Sequence, residues 1–192
     1  NARANIDSAI LNAEKHNAQG VLLTSWGDCG NHQPWATLYP PLLYGAAQMW
    51  NNQHISEEDL IKAMDQKLFQ GEIETPSSIL LELGKLDKII GSKIPNSSLC
   101  WSILFDPQPE KIDQLIKDKH TITQFKEGLY LLSSIRDSAA KKSQDQSSQL
   151  VRDEISLGVA LSTIALQKGI QSLEGKKWAP LRGKDPIFTT YQ

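Results

Sequence analysis

Apolar residues recur at helical spacing from the first turn of the chain. Ile6, Ala9, Ile10 and Ala13 share one face, so residues 3–17 are predicted to form an amphipathic helix. Gln19-Gly20 is its expected stop, because glycine takes the left-handed conformation past a helix end without strain. The pattern then changes. Val21-Leu22-Leu23-Thr24-Ser25-Trp26 is a short apolar run rich in strand formers, and it fits a buried strand of a parallel sheet. Gly27 to Trp35 is a polar, glycine-bearing loop. Residues 42–50 follow as a predicted helix after Pro40-Pro41, since proline is tolerated in a first turn. Helix, strand, loop and helix in this order are the grammar of a β/α barrel or a doubly wound sheet.

From Ile55 onward the spacing is helical and stays so. Ser56 is a candidate N-cap before Glu57-Glu58-Asp59, whose charges suit a helix N-terminus. Leu60, Ile61, Met64, Leu68 and Phe69 make the first apolar face. A break at 71–76 leads to a second helix over 77–90, stopped by Gly91. Residues 99–105 are short and apolar and fit helix or strand, with helix favoured. A third clear helix is expected over 110–119. Thr121 can cap a fourth, running to about Lys142. The polar residues 143–148 read as a loop or solvated turn, 150–173 as a last long helix, and 176–192 as an irregular tail.

Composition narrows the function classes. The 192 residues are 40% hydrophobic, enough for a real core. Lys and Arg number 20 against 22 Asp and Glu, a net charge of -2, which excludes a bulk electrostatic nucleic-acid binder. No apolar run approaches the ~20 residues that span a bilayer, so the chain is expected to be soluble and without a membrane partner. Cys29 and Cys100 are too few for a disulfide scaffold. The chain opens without Met and directly into a helical pattern, as a piece of a longer protein would. No address can be read from such a start.

The chemistry concentrates in residues 20–50. A strand ends in Trp26 and a carboxylate follows two residues later at Asp28. In parallel α/β arrays, ligands bind at the carboxyl ends of strands. An indole offers a flat apolar face on which the C–H face of a sugar ring can stack. Asp28 could accept hydrogen bonds from hydroxyls, and a charged acceptor strengthens them. Trp35 extends the lining. The pattern leaves a second reading open for each: Trp26 as a core residue closing a strand, Asp28 as a turn cap, Trp35 as packing. Asp28, Cys29 and His32 lack a further set of ligands, so no metal is expected. Cys29 has no oriented base, and neither a nucleophile elbow nor a phosphate-binding glycine loop is present, so no cofactor is expected.

This stretch resembles glycoside hydrolase family 20, the β-N-acetylhexosaminidases. The residues that carry the resemblance are Thr24-Ser25-Trp26-Gly27-Asp28 with Gly30 and His32, then Gln33-Pro34-Trp35, Tyr39-Pro40 and Tyr44-Gly45-Ala46-Ala47 with Trp50. It covers about the first fifty residues. The resemblance implies that these residues are the last helix–strand–helix unit of a (β/α)8 barrel. It also implies that Trp26 stacks on the sugar and that Asp28 binds its hydroxyls, although Glu is the commoner family residue at that second position. The implied reaction is substrate-assisted retention, in which the substrate's acetamido oxygen attacks the anomeric carbon, an exception to the two-carboxylate scheme. Its Asp-Glu pair belongs to an earlier strand, upstream of this sequence. Glu58-Asp59 and Asp153-Glu154 read only as helical charges.

The expected architecture is therefore mainly α: residues 1–54 as the end of a barrel glycosidase domain, 55–175 as a helical domain, and 176–192 as a tail. The expected substrate is an N-acetyl-hexosaminide in the intact parent, with no hydrolysis by this chain alone and a dimer contact through the helical domain. The alternative is a helical interaction or oligomerisation module without catalysis.

Overall fold

The structure, a computed structural model, describes residues 2–26, 34–51, 55–69, 76–91, 94, 97–106, 108–143 and 145–176. It is mainly α-helical, and no strand occurs among the described residues. The tail beyond 176 lies outside them. Two compact units form. One draws on Asn1–Leu81 and Ser138–Ile155, the other on Glu82–Asp137 and Ser156–Gln192.

In the first unit, α1 (Ala2–Lys15) packs on α2 (Tyr39–Asn51), and α2 packs on α3 (Glu57–Lys67). The stop of α1 is not Gly20 but Asn17, at φ +51°. The Asn17 N–H donates to Glu14 O at 3.1 Å and the Ala18 N–H to Ala13 O at 2.8 Å, which closes the helix end before the glycine is reached. Asn tolerates the left-handed region better than other side chains, so it substitutes for Gly there. Ser56 caps α3 as its position predicts, accepting from the Asp59 N–H at 3.0 Å and donating to Asp59 Oδ2 at 2.7 Å. Leu60 and Met64 are fully buried on the predicted face.

The segment 21–26 differs from its prediction. It forms no strand, and no backbone–backbone hydrogen bond joins it to another described residue. It is not buried either: Leu22 is 85% and Trp26 77% exposed. A strand needs a neighbour to satisfy its N–H and C=O groups, and no neighbouring strand is present among the described residues. Exposure alternates at the start of the segment. Val21 and Leu23 are half-buried while Leu22 and Thr24 face solvent. Leu23 Cδ2 lies 2.7 Å from where a Cβ on Gly45 would stand, with Ile6 Cδ1 at 3.5 Å. Glycine inside a helix costs about 1 kcal/mol relative to alanine. At position 45 it makes room for the crossing segment.

The second unit is built on α8 (Ile122–Ala139) and α9 (Gln146–Leu173), whose far ends belong to the first unit, with α5 (Leu86–Ile89), α6 (Leu99–Phe105) and α7 (Pro109–Lys119). Residues 77–90 are not one helix. α4 (Ser77–Leu83) ends at a turn containing Gly84, a weak helix former, and α5 starts afresh. Thr121 caps α8 reciprocally: Thr121 Oγ1 accepts from the Gln124 N–H at 3.3 Å, and Gln124 Oε1 accepts from the Thr121 N–H at 2.9 Å. α9 begins four residues earlier than the apolar pattern predicts, because Asp145 Oδ2 accepts the Ser148 N–H at 2.8 Å and caps the polar stretch into the helix. Glycines set the close approaches. A Cβ on Gly128 would stand 2.7 Å from Leu166 Cδ1, and one on Gly169 3.0 Å from the Phe125 ring. No described helix is long and apolar enough to cross a membrane.

Candidate functional site

A cleft of about 430 Å³ opens in the first unit. One face of α1 forms a wall through Asn5, Ile6 and Ala9. Residues 21–26 form the rim, and Leu38, Pro41, Leu42 and Met49 close the other side. Mostly apolar walls with a few polar groups are what small-molecule sites require. The local sequence explains the shape. The closure of α1 at Asn17 returns the chain, the missing Cβ at Gly45 lets Leu23 lie against α2, and Trp26 is left at the edge of the cleft.

Trp26 is 77% exposed, so an indole face is free for a ligand. Its Nε1–H donates to Thr24 Oγ1 at 3.2 Å, which restrains the ring. The polar atoms of Asn5, Thr24 and Ser25 share this lining. Asp28 lies outside the described residues. Trp35 opens a 3-10 turn, Trp35–Leu38, and is 62% exposed, but it is not part of the cleft lining. The structure thus places Trp26 at the cleft and does not bring Trp35 into it. From the same turn Leu38 enters the lining, a residue that sequence reasoning did not select.

Behind the cleft, a polar cluster fixes α1 against α2. Asp7 Oδ1 accepts from Tyr44 OH at 2.7 Å and from Gln48 Nε2 at 3.2 Å. Gln48 Nε2 also donates to Tyr44 OH at 2.9 Å. The Arg3 guanidinium lies 5.2 Å from the Tyr44 ring centroid and 3.7 Å from Glu57. Burial first, and then the bond to Asp7, push the Tyr44 phenol above its usual range. It stays protonated and donating throughout the physiological range. Nothing short of the folded geometry reveals this cluster, since Asp7 and Tyr44 stand 37 residues apart.

The two acidic pairs of the sequence behave unequally. Glu58 pairs with Lys62 at 2.8 Å on the surface, and Asp59 serves the cap of α3. Asp153 takes a local bond from Gln149 Nε2 at 2.7 Å. Glu154 instead accepts from the buried Ala36 N–H at 2.7 Å, across 118 residues. Among the described residues, no three His, Cys, Asp or Glu gather into a group that could hold a metal ion. No protein-family model matches this chain, and neither does any curated protein or solved structure.

Proposed function

We propose that this chain carries the sugar-stacking wall of a β-N-acetylhexosaminidase-like glycoside hydrolase, as the last helix–strand–helix unit of a (β/α)8 barrel followed by a helical domain. The observation that carries the reading is Trp26, largely exposed at the rim of an apolar cleft with its ring nitrogen tied back to Thr24. The backbone of residues 21–26, which has no backbone hydrogen bond to another described residue, with one side chain in two packed inward at the start of the run, also suits a strand that completes a sheet supplied by upstream sequence. On this reading Trp26 stacks on the sugar ring, Asp28 accepts from its hydroxyls, and the substrate's acetamide performs the attack. The Asp-Glu pair that orients the acetamide and moves the proton comes from an upstream strand.

The test compares this chain with a version extended upstream through a full barrel, on a chromogenic N-acetyl-β-glucosaminide. Only the extended protein is expected to turn over substrate. Truncating an aromatic anchor costs ~2 kcal/mol or more, so Trp26→Ala is expected to lower kcat/KM by about 30-fold or more. Hydrolysis by the 192-residue chain alone, or an extended protein inactive on all hexosaminides, would overturn the reading.

A second reading, a helical module that binds a protein partner or a second copy, draws support from Trp50. It is 88% exposed at the end of α2 and outside the cleft. Sedimentation of the pure chain over a hundredfold concentration range would separate a self-associating module from a monomer.

A further inference from the structure

Resting on the sugar-site reading, we propose that Glu154 is a positioning residue for that site: its carboxylate holds the 3-10 turn that carries Trp35 and supplies Leu38 to the cleft. The bonds of the turn itself, including the Tyr39 N–H to Ala36 O, leave one buried donor over. Its N-cap is Pro34, which has no side-chain acceptor to offer. The Pro34 carbonyl is taken twice by Thr37, from its N–H at 3.1 Å and its Oγ1–H at 2.7 Å. The Ala36 N–H, near the start of the turn, has no acceptor within it. Ala36 is completely buried, so water does not reach that donor. Glu154 Oε2 satisfies it at 2.7 Å, in a charge-assisted bond from α9.

The consequence reaches the cleft through the chain. Leu38, two residues beyond Ala36, is part of the lining. A shift of the turn therefore moves one wall of the cleft. Glu154 does not line the cleft and moves no proton there. A segment that pattern alone assigns to a separate helical domain thus sets the shape of the candidate pocket.

Amide exchange followed by NMR on the 192-residue chain reads the bond directly. Glu154→Ala removes the acceptor. Glu154→Asp withdraws it by one methylene while keeping charge and helix, and guards against a variant that fails to fold. Glu154→Gln keeps a carbonyl oxygen in place. Exchange at Ala36 is expected to quicken at least about tenfold in the Ala and Asp variants, since a buried donor loses its partner. It should stay near wild type in the Gln variant, with the α8 amides unchanged in all three.

Titration with N-acetylglucosamine, followed by shifts at the Trp26 indole N–H, reads the function. Affinity is expected to fall about threefold to tenfold in the Ala and Asp variants and to recover in the Gln variant. Unchanged exchange at Ala36 overturns the latch. Quickened exchange with unchanged sugar affinity overturns its role at the site. A general rise in exchange across α8 marks a merely structural residue. If neither the wild-type chain nor the upstream-extended protein binds the sugar, the sugar-site reading fails and takes the positioning role with it, while the exchange result still reports whether the turn is latched.

Discussion

The two units spend their apolar residues differently. In the second, Ile90, Leu99, Ile103, Ile116, Phe125 and Leu166 are all fully buried, and Tyr130 is the one large apolar side chain left exposed among its described residues. In the first, Leu22, Trp26, Trp35 and Trp50 all stand more than half exposed, beside a core that includes Tyr44, Leu60, Met64, Phe69 and Ile155. One unit has found its partners within the chain. The other leaves an indole exposed at a cleft. Stability should therefore reside in the second unit and binding in the first, and substitutions can set the two apart.

The largest effect is expected at Phe125. Its ring is fully buried, fills the space that Gly169 leaves open and lies 5.6 Å from the His120 ring. Phe125→Ala should cost ~3–5 kcal/mol, because the removed ring leaves a cavity between helices that cannot fully collapse. The midpoint of urea unfolding by circular dichroism checks this. A loss below about 1 kcal/mol would mean that the site relaxes freely, and the contrast between the units would fail with it.

A smaller effect comes from charge inside the second unit. Burial pushes the Asp87 carboxyl above its ordinary range. Burial, with the Asp87 charge adding to it, pushes the nearby Cys100 thiol up to about 12. The sign for Asp87 is that the folded chain holds this proton more tightly than the unfolded one. Its contribution is fully present in acid, below the unfolded carboxylate pKa, and is lost as pH rises through the raised folded value. Asp87→Asn should remove that slope, leaving a chain more stable than wild type at neutral pH and closer to it in acid. Unfolding midpoints taken from pH 3 to pH 7 test this, and a variant that tracks the wild-type curve in parallel would refute it.

Much of the helical architecture was legible because its signals are local. Ser56 caps α3, and Thr121 with Gln124 caps α8, from residues three apart that need no tertiary help. The errors have local causes too. Asn17 pre-empts Gly20, Gly84 splits a predicted helix, and Asp145 extends α9 backwards. The strand assigned to 21–26 had the composition of one, but strand formation is a property of a pair, and composition alone does not show whether a neighbouring strand is there. Of the cleft lining, Trp26 is the residue the sequence motif singles out. Glu154 was not, because its bond to Ala36 joins positions 118 apart that no periodicity links.

The smallest stability effect should fall on the residues that look most out of place. Leu22 and Trp50 are 85% and 88% exposed, so the folded chain gains little from burying them. Leu22→Ser and Trp50→Ser should each change the unfolding free energy by no more than ~0.5 kcal/mol, the usual range for surface substitutions. Leu23 is the internal control. It is one residue from Leu22 but packs into the space over Gly45, so Leu23→Ser should cost clearly more. If the Leu22 and Leu23 variants lose stability equally, residue 22 is covered in solution, and unfolding midpoints that rise with protein concentration would identify the cover as a second copy of the chain. If only Leu23 matters, the Leu22 face of this segment is open to solvent in the isolated chain.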